Sequence, residues 1–306
     1  MLQEGIDAAL PGDTLVVKGT CLGASTISKT LALKGFSNKP FGVATLDGDD
    51  LGAVLTIEGA VSVEISGLVI TGGLPTIVGA GAGGIHNAGP GTVTLVDATV
   101  RGNFGLFAGG GIYNGAGGTV EITSSTVAGN GVLGVSSIAG GVFNAGTLTI
   151  QRSTVTQNVS QGTGGGVVNW GGRLTITASE LSHNRSWFGG GLVNDFGGIA
   201  TVADTEILEN IASQGGLDGD GGGILNEGSA LTLTSSKVSG NRARAGGGIF
   251  NSGAVTLVDS TVTANSASEV GGGVYNLAVV TLSGTTVIAA NTPDNCYPPG
   301  SITGCT

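Results

Sequence analysis

The sequence has little charge, few aromatic residues and little proline. Charged residues make up 10% of its 306 positions, aromatic residues make up 4%, and there are seven prolines. With so little proline and no strict Gly-X-Y period, the 61 glycines do not indicate a collagen. Lys and Arg number 11 against 21 acidic residues and form no cluster, so the net charge of −10 argues against binding to nucleic acid.

Long apolar runs are also missing. No stretch approaches the roughly 18 to 20 apolar residues that cross a bilayer, so we expect no insertion into a membrane. The opening MLQEGIDAAL lacks the basic start and the apolar core of a signal peptide. We interpret the chain as a mature fragment whose Met1 was added.

Cysteine is scarce, and its three copies lie near the two ends of the chain. Cys296 and Cys305 are nine residues apart in the tail NCYPPGSITGCT, whereas Cys21 is near the other end. We predict a disulfide between Cys296 and Cys305, with three unpaired thiols as the alternative. A disulfide indicates an oxidising compartment, and we therefore expect an extracellular or cell-surface location.

A six-residue pattern, GGGIYN at 109–114, recurs along most of the chain. Its copies are GGIHN, GGVFN, GGGVVN, GGGLVN, GGGILN, GGGIFN and GGGVYN, and successive final asparagines are 27, 30, 25, 25, 32, 25 and 25 residues apart. Short strand-like runs separated by glycine or asparagine turns follow each copy. A unit of about 25 residues cannot bury an apolar face alone, so the repeats must stack.

The alternation of residues within a repeat predicts which side chains point inward. In TVEIT, Val120 and Ile122 alternate with polar residues, which is the period of a half-buried strand. The aliphatic residue of each pattern points inward, and so does the asparagine two residues later, where stacked amides can bond from coil to coil. The inward asparagines are Asn87, Asn114, Asn144, Asn169, Asn194, Asn226, Asn251 and Asn276.

A second asparagine recurs 14 to 16 residues after the first. We assign it to turns, because asparagine tolerates left-handed backbone and caps its own main chain. This column contains Asn103, Asn130, Asn158, Asn184, Asn210, Asn241, Asn265 and Asn291.

The predicted fold is an all-β, single-stranded, right-handed parallel β-helix, or solenoid, of about eleven coils. It occupies residues 1–291, with a short capping helix at 1–10 and regular repeats at 73–291, and residues 292–306 form a Pro/Gly/Cys-containing capping tail. A helix at the start would cover the open end of the first coil, as stacked repeats require.

These repeats resemble the right-handed parallel β-helix proteins of the pectin-lyase-like superfamily. The resemblance covers about residues 15–291 and is greatest for the polymorphic outer-membrane-protein and adhesin type, whose repeats carry a GG-aliphatic element and a separate element ending in Asn. It implies the β-helix fold. It does not select a function, because the superfamily includes polysaccharide lyases, glycosidases, adhesins and phage tail proteins.

Residues for catalysis are not apparent. The Asn-Thr-Asp run, Asp pair and Gly-His-Gly associated with related pectin-degrading hydrolases do not occur. The DGDG at 218–221 resembles the opening of a calcium loop but lacks the later Glu, so it is assigned to a solvated turn. His86 and His183 have no nucleophile element nearby. We therefore predict no catalytic residues, no metal site and no cofactor.

Two columns of outward-pointing side chains suggest functions. Thr94, Glu121, Thr149, Thr175, Thr201, Thr232, Thr256 and Thr281 form a ladder broken once, which indicates either ordinary β propensity or a hydroxyl array that orders water in an ice-binding protein. The variable position of the repeated pattern predicts an exposed apolar stripe, which is either a contact surface or a strip covered by a side loop. The stripe contains His86, Tyr113, Phe143, Val168, Val193, Leu225, Phe250 and Tyr275.

A ligand site is predicted where the corner before GGG varies in length. The corners at 131–139 and 211–220 are long and those at 159–163 and 185–188 are short, so two loops would rise as walls around a floor. This ligand-binding set is Gln161, Arg185, Trp187, Phe188, Asp218 and Asp220. An aromatic residue among polar groups suits sugar rings, whereas the alternative is that Trp187 packs beneath the longer loop.

The function predicted from the sequence is a non-enzymatic, exported or surface-displayed scaffold for adhesion. Its expected partner is a glycan or another protein, and the sequence leaves the oligomeric state open. A carbohydrate-active enzyme, either a polysaccharide lyase or a glycoside hydrolase, is the first alternative, and an ice-binding protein is the second.

Overall fold

The chain forms a solenoid of stacked β-strand coils. The structure, a computed structural model, describes residues 1–37, 42–75, 81–132, 134, 136–214 and 217–305. Within them, each of three parallel sheets has eleven strands, so every coil adds one strand to each sheet. The predicted right-handed parallel β-helix is therefore confirmed.

The first and second sheets follow one another within each coil. The first sheet contains Thr14–Val17, Leu31–Gly35, Ser62–Ser66, Thr92–Val96, Thr119–Thr123, Thr147–Gln151, Arg173–Thr177, Ile199–Ala203, Ala230–Thr234, Ala254–Val258 and Val279–Ser283. The second sheet contains Thr20–Leu22, Thr45–Asp47, Val69–Thr71, Thr99–Arg101, Thr126–Ala128, Thr154–Thr156, Glu180–Ser182, Glu206–Leu208, Lys237–Ser239, Thr261–Thr263 and Val287–Ala289.

The third sheet holds the repeated pattern, and a fourth sheet lies at the corner before it. The third sheet contains Ser25–Ile27, Leu55–Ile57, Ile85–Asn87, Ile112–Asn114, Val142–Asn144, Val167–Trp170, Leu192–Asp195, Ile224–Asn226, Ile249–Asn251, Val274–Asn276 and Cys296–Tyr297. The fourth contains Phe104–Gly105, Gly131–Val132, Val159–Ser160, Arg185–Ser186, Ile211–Gln214, Arg242–Ala245 and Ser266–Val270, with Leu217–Asp218 paired antiparallel to Ile211–Gln214.

A continuous apolar core runs inside the coils. Val120 and Ile122 are fully buried, as their alternation in TVEIT predicts, and they stack on Leu148 and Ile150 of the next coil. Each coil therefore buries its apolar face against equivalent residues in its neighbours rather than within itself. The stabilisation gained by burying apolar surface is spread over the full length of the solenoid.

The first asparagine column forms a buried ladder at the end of the third sheet, which confirms its predicted inward orientation. From Asn87 to Asn276, each Nδ2 donates to Oδ1 of the next asparagine at 2.7 to 2.9 Å. These side chains have at most 3% exposure. From Asn114 onward each amide oxygen is therefore paired inside the core, whereas Asn87 Oδ1 at the start of the ladder has no partner among the described residues.

The second asparagine column is not a set of solvent-facing turn residues. From Asn103 to Asn291, Nδ2 again donates to the next Oδ1 at 2.9 to 3.0 Å, and the backbone N–H donates to the same oxygen. The left-handed backbone lies one residue earlier, as at Gln157 and His183. These residues do lie at the turn that follows the second sheet, as predicted, but their own backbone is not left-handed and their buried side chains seal the corner from inside.

A third polar ladder was not predicted from the sequence. At the turn between the first and second sheets, the backbone N–H of one coil donates to a serine or threonine hydroxyl of the next, beginning with Ala98 to Ser125 at 3.0 Å. The later acceptors are Ser153, Ser179, Thr205, Ser236, Ser260 and Thr286. Together the three ladders satisfy the backbone and side-chain polar groups that the turns would otherwise bury unpaired.

The glycines of GGG serve two purposes. A Cβ on the second glycine would overlap backbone of the neighbouring coil, as Gly247 shows against the carbonyl oxygens of Ser266 and Gly272. The first glycine has positive φ, for example 64° at Gly246, and Ala139 takes the same position with φ of 61°. The second position therefore requires glycine for space. The first position is also tight, since a Cβ at Gly246 would lie 2.6 Å from the Ile249 carbonyl oxygen, although the coil of Ala139 accommodates alanine there.

The two ends of the solenoid are closed differently. Helix α1, Leu2–Ala8, buries Leu2 and Ile6 against the first coil. At the other end the tail adds Cys296–Tyr297 to the third sheet and buries Ile302. Cys296 and Cys305 form a disulfide with their Cα atoms 6.3 Å apart, and Cys21 is a free thiol. Among the described residues, no helix has the length and apolar character to span a bilayer.

Candidate functional site

The predicted apolar stripe on the third sheet is not exposed. Val168 and Val193 are fully buried, Phe143 and Leu225 are nearly so, and the other four members are half-buried. The corner folds over this column, since a Cβ at Gly164 or Gly189 would overlap the valine of its own coil. The prediction of an exposed stripe was wrong, and the column forms a second small hydrophobic cluster with Ala108 and Ala139.

Aromatic rings occupy both ends of this column. His86, Tyr113 and Phe143 stack with centroid distances of 5.1 and 4.9 Å, and Phe250, Tyr275 and Tyr297 do so at 5.0 and 5.6 Å. The three coils between them carry the aliphatic residues Val168, Val193 and Leu225. The middle coils therefore have no aromatic ring in this column.

A cleft of about 260 Å³ lies over the middle coils. Thr163, Phe188 and Asp220 line it from the corner, at the residue that immediately precedes GGG in three consecutive coils. Leu225 and Glu227 line it from the third sheet and from the turn that follows. Phe188 is 44% exposed and belongs to the lining, so an aromatic side chain is accessible to a ligand in this cleft.

The turn after the third sheet carries a second column of side chains, of which Glu227 lines the cleft. Trp170, Asp195 and Glu227 each follow the ladder asparagine of successive coils, so they lie in one column. Trp170 stacks on Phe196 with ring centroids 3.9 Å apart. Sequence reasoning missed Glu227 because it compared only the loops before GGG, although the column after the asparagine carried the signal.

Carboxylates dominate the electrostatics of the cleft. Asp220 Oδ2 accepts from Arg244 Nη2 at 2.9 Å, and Arg244 also pairs with Glu269 at 3.2 Å. Asp220 Oδ1 is buried and has no partner among the described residues. The pKa of Glu227 is raised, mainly because the Glu227 carboxyl group is partly buried. The nearby carboxylates of Asp195 and Asp220 raise this pKa further.

The predicted ligand residues are only partly brought together. Phe188 and Asp220 line the cleft, but Gln161 and Arg185 are exposed outside its lining, and Arg185 Nε donates to the Ser213 carbonyl at 3.0 Å. Trp187 is half-buried, with its Nε1 buried and unpartnered in the described structure. The side chain of Asp218 lies outside the described residues.

The loop walls predicted around the site are described in part. Residues 133, 135, 215 and 216 of the two long corners lie outside the described residues. A Cβ at Gly219 would overlap the Trp187 carbonyl oxygen, so the end of the second long corner lies directly on Trp187. This contact is made by the Trp187 backbone, and the Trp187 side chain is half-buried.

Two other clefts lack this combination of groups. One of about 310 Å³ lies on the first sheet near Thr30, Glu64 and Thr94, and one of about 480 Å³ lies near Met1, Leu15 and Cys21. Neither lining includes an aromatic ring. No group of three or more His, Cys, Asp or Glu side chains among the described residues could hold a metal ion.

The outward threonine ladder is in register on the first sheet. Thr149, Thr175 and Thr201 are direct partners in adjacent strands. The ladder is interrupted by Glu121, and the flanking columns include Arg173 and Gln151. The face is therefore aligned but chemically mixed.

Comparison with known proteins adds one structural likeness. No family model and no curated protein matches the chain. The crystal structure of pectate lyase Pel9A is similar, with 13% sequence identity and a TM-score of 0.40, over 96% of this chain and 73% of that one. This likeness carries no conclusion about activity.

Proposed function

We propose that the protein is a non-enzymatic β-helix scaffold that binds a carbohydrate chain in the cleft around Phe188. The observation that carries this proposal is an exposed aromatic ring in a cleft that also presents a hydroxyl and two carboxylates, from Thr163, Asp220 and Glu227. Aromatic faces stack on the apolar faces of sugar rings, and carboxylates accept hydrogen bonds from sugar hydroxyls.

The scaffold supports such a site by holding its two sides at fixed separation. The corner residues join a parallel ladder, with Thr163 bridged to Phe188, and Gly189 N–H donates to the Asp220 carbonyl at 3.0 Å. Glu227 is held on the opposite side, where its N–H donates to the Asn194 carbonyl at 2.9 Å. A ligand therefore meets side chains positioned by the coils, with little ordering required on binding.

An adhesive role outside the cell fits these features. A stack of coils presents a long surface, and the disulfide between Cys296 and Cys305 suits an oxidising compartment. In this proposal the protein is exported and displayed or secreted, and the cleft attaches it to a glycan on another surface.

Glycoside hydrolysis is a second candidate, favoured by one observation. Glu227 has a raised pKa and shares its cleft with the carboxylate of Asp220, and paired carboxyl groups of unequal acidity serve as acid and base in glycosidases. Release of reducing ends from a polysaccharide, lost in Glu227→Gln, would establish this activity in place of simple binding.

Replacement of Phe188 tests the binding proposal. We expect Phe188→Ala to weaken binding to any glycan found with a panel of neutral, acidic and amino oligosaccharides by roughly tenfold, equivalent to about 1.4 kcal/mol. Titration calorimetry measures the change. The melting temperature should fall only slightly, because Phe188 is 44% exposed and lies outside the main core.

Phe107→Ala is the matched control for this test. Phe107 is 50% exposed at an earlier corner and does not line the cleft, so its removal should leave glycan affinity unchanged. Equal affinities for Phe188→Ala and the wild type, or failure of the whole panel to bind, would contradict the proposal.

A further inference from the structure

We propose that the Phe188 cleft selects sugars that carry a free, positively charged amino group. This inference rests on the proposed carbohydrate binding and names its ligand class. It follows from the two acidic residues that line the cleft, from the further carboxylates near them and from the partly exposed Phe188 in the same lining.

The charges around the cleft are mainly negative. Asp220 and Glu227 line it, and Asp195 occupies the same column as Glu227 one coil earlier. The nearby cation Arg244 is divided between Asp220 and Glu269. Because opposite charges attract more strongly near a protein surface than in bulk water, an ammonium group gains here, whereas a uronic acid meets repulsion.

Asp220 provides an acceptor without a donor. Its Oδ2 is held by Arg244 at 2.9 Å, which fixes the orientation of the carboxylate, while Oδ1 is buried and unpartnered within the described structure. Because Oδ1 is covered by protein atoms, an ammonium group in the cleft is attracted to Asp220 by charge rather than by a hydrogen bond to Oδ1. The three donors of the ammonium group can bond to Glu227, which is exposed.

Glu227 and Phe188 supply the remaining contacts. The carboxylates of Asp195 and Asp220 contribute to the raised pKa of Glu227, which means that a positive charge beside these groups lowers their mutual repulsion. The exposed face of Phe188 can also attract an ammonium group through its ring quadrupole. Both contacts favour an organic cation over a neutral sugar.

A bare metal ion fits less well. No group of three or more acidic, histidine or cysteine side chains in the described structure is arranged to hold one. A sugar amine needs fewer ligands, because its ring also contacts Phe188 and Leu225, which line the same cleft.

The test compares two oligosaccharide series of equal length. Oligomers of β-linked glucosamine and their N-acetylated counterparts are titrated into the protein by calorimetry, at a pH below the pKa of the sugar amine. We expect the glucosamine oligomers to bind at least about tenfold more tightly, and salt to reduce this ratio because part of the attraction is screened.

Variants separate the inference from the proposed function. Glu227→Gln should abolish the preference for the amine while leaving binding of the N-acetylated series in place, and Phe188→Ala should weaken both series. Glu206→Gln removes the same charge from an exposed position on the second sheet and should preserve the preference.

Each outcome is informative. Equal binding of the two series by the wild type overturns the inference and leaves carbohydrate binding intact. Binding of neither series, nor of any other member of the glycan panel, rejects the proposed function together with the inference. Retention of the preference in Glu227→Gln also overturns the inference, because the acidic side chain would then not determine it.

Discussion

The inside of the solenoid and the corner around Phe188 follow opposite rules. Inside, the same residue recurs in coil after coil, as in the asparagine ladders from Asn87 to Asn276 and from Asn103 to Asn291. At the corner, the residue before GGG changes from Thr163 to Phe188 to Asp220 in consecutive coils. Repetition therefore marks the groups that hold the coils together, and variation marks the surface that can acquire a function.

The physical reason is the stacking itself. An inward side chain touches its own equivalent above and below, so a residue that satisfies one coil must satisfy the next. A side chain at the outer corner faces solvent on one side and is released from that requirement.

Two glycines at different turns should differ sharply. We expect Gly247→Ala to destabilise the protein by at least about 3 kcal/mol, since its Cβ would overlap carbonyl oxygens of Ser266 and Gly272 and push coils apart. Gly129→Ala should cost only about 1 kcal/mol, because a Cβ there meets no atom within 4 Å and the equivalent residue Gln157 has the same left-handed backbone. Denaturant titration measures both, and equal costs would show that coil spacing does not impose the second glycine.

The second asparagine ladder should matter as a buried network. We expect Asn184→Ala to lose about 2 to 3 kcal/mol, because Asn184 Oδ1 accepts from the backbone N–H and Nδ2 of Asn158, both at 3.0 Å. Thr201→Ala, on the exposed face of the first sheet, is the control and should change stability by less than about 0.5 kcal/mol. If Asn184→Ala and Thr201→Ala have the same melting temperature, the ladder does not stabilise the corner.

His86 should give the smallest effect, through pH. Burial lowers the pKa of His86, which stacks on Tyr113 at 5.1 Å. Protons therefore bind His86 more tightly in the unfolded chain than in the folded one. The contribution of His86 to the free energy of unfolding is fully present above the unfolded pKa of about 6.5 and is lost as the pH falls toward the folded pKa. Thermal melts of the wild type and His86→Phe should diverge in that window, and parallel curves would contradict the assignment.

The sequence predicted only part of the candidate site. Phe188 and Asp220 were found because the corner loops vary in length, but Arg185 and Gln161 came with them and lie outside the cleft lining. Glu227 was missed because it lies on a different turn, and it reaches the cleft only because one coil brings the corner and the turn to opposite sides of Leu225. Loop length does not encode that approach.

The outward column of the third sheet shows the same limit. Alternation correctly predicted that Val168 and Val193 point away from the main core, yet both are fully buried. The corner backbone at Gly164 and Gly189 covers them. A period of two describes which side of a strand a residue occupies, whereas burial also depends on what lies over that side.

The sequence by itself determined the stacked coils, the alternation of inward and outward residues and the first buried asparagine ladder. These are properties of a repeat, because a period that returns every 25 to 32 residues with one apolar face can be buried only by stacking. The tertiary structure decided the second ladder's burial, the cover over the outward column and the meeting of Phe188, Asp220 and Glu227 in one cleft. Those depend on how the chain turns each corner, which sets distances between residues that no local pattern connects.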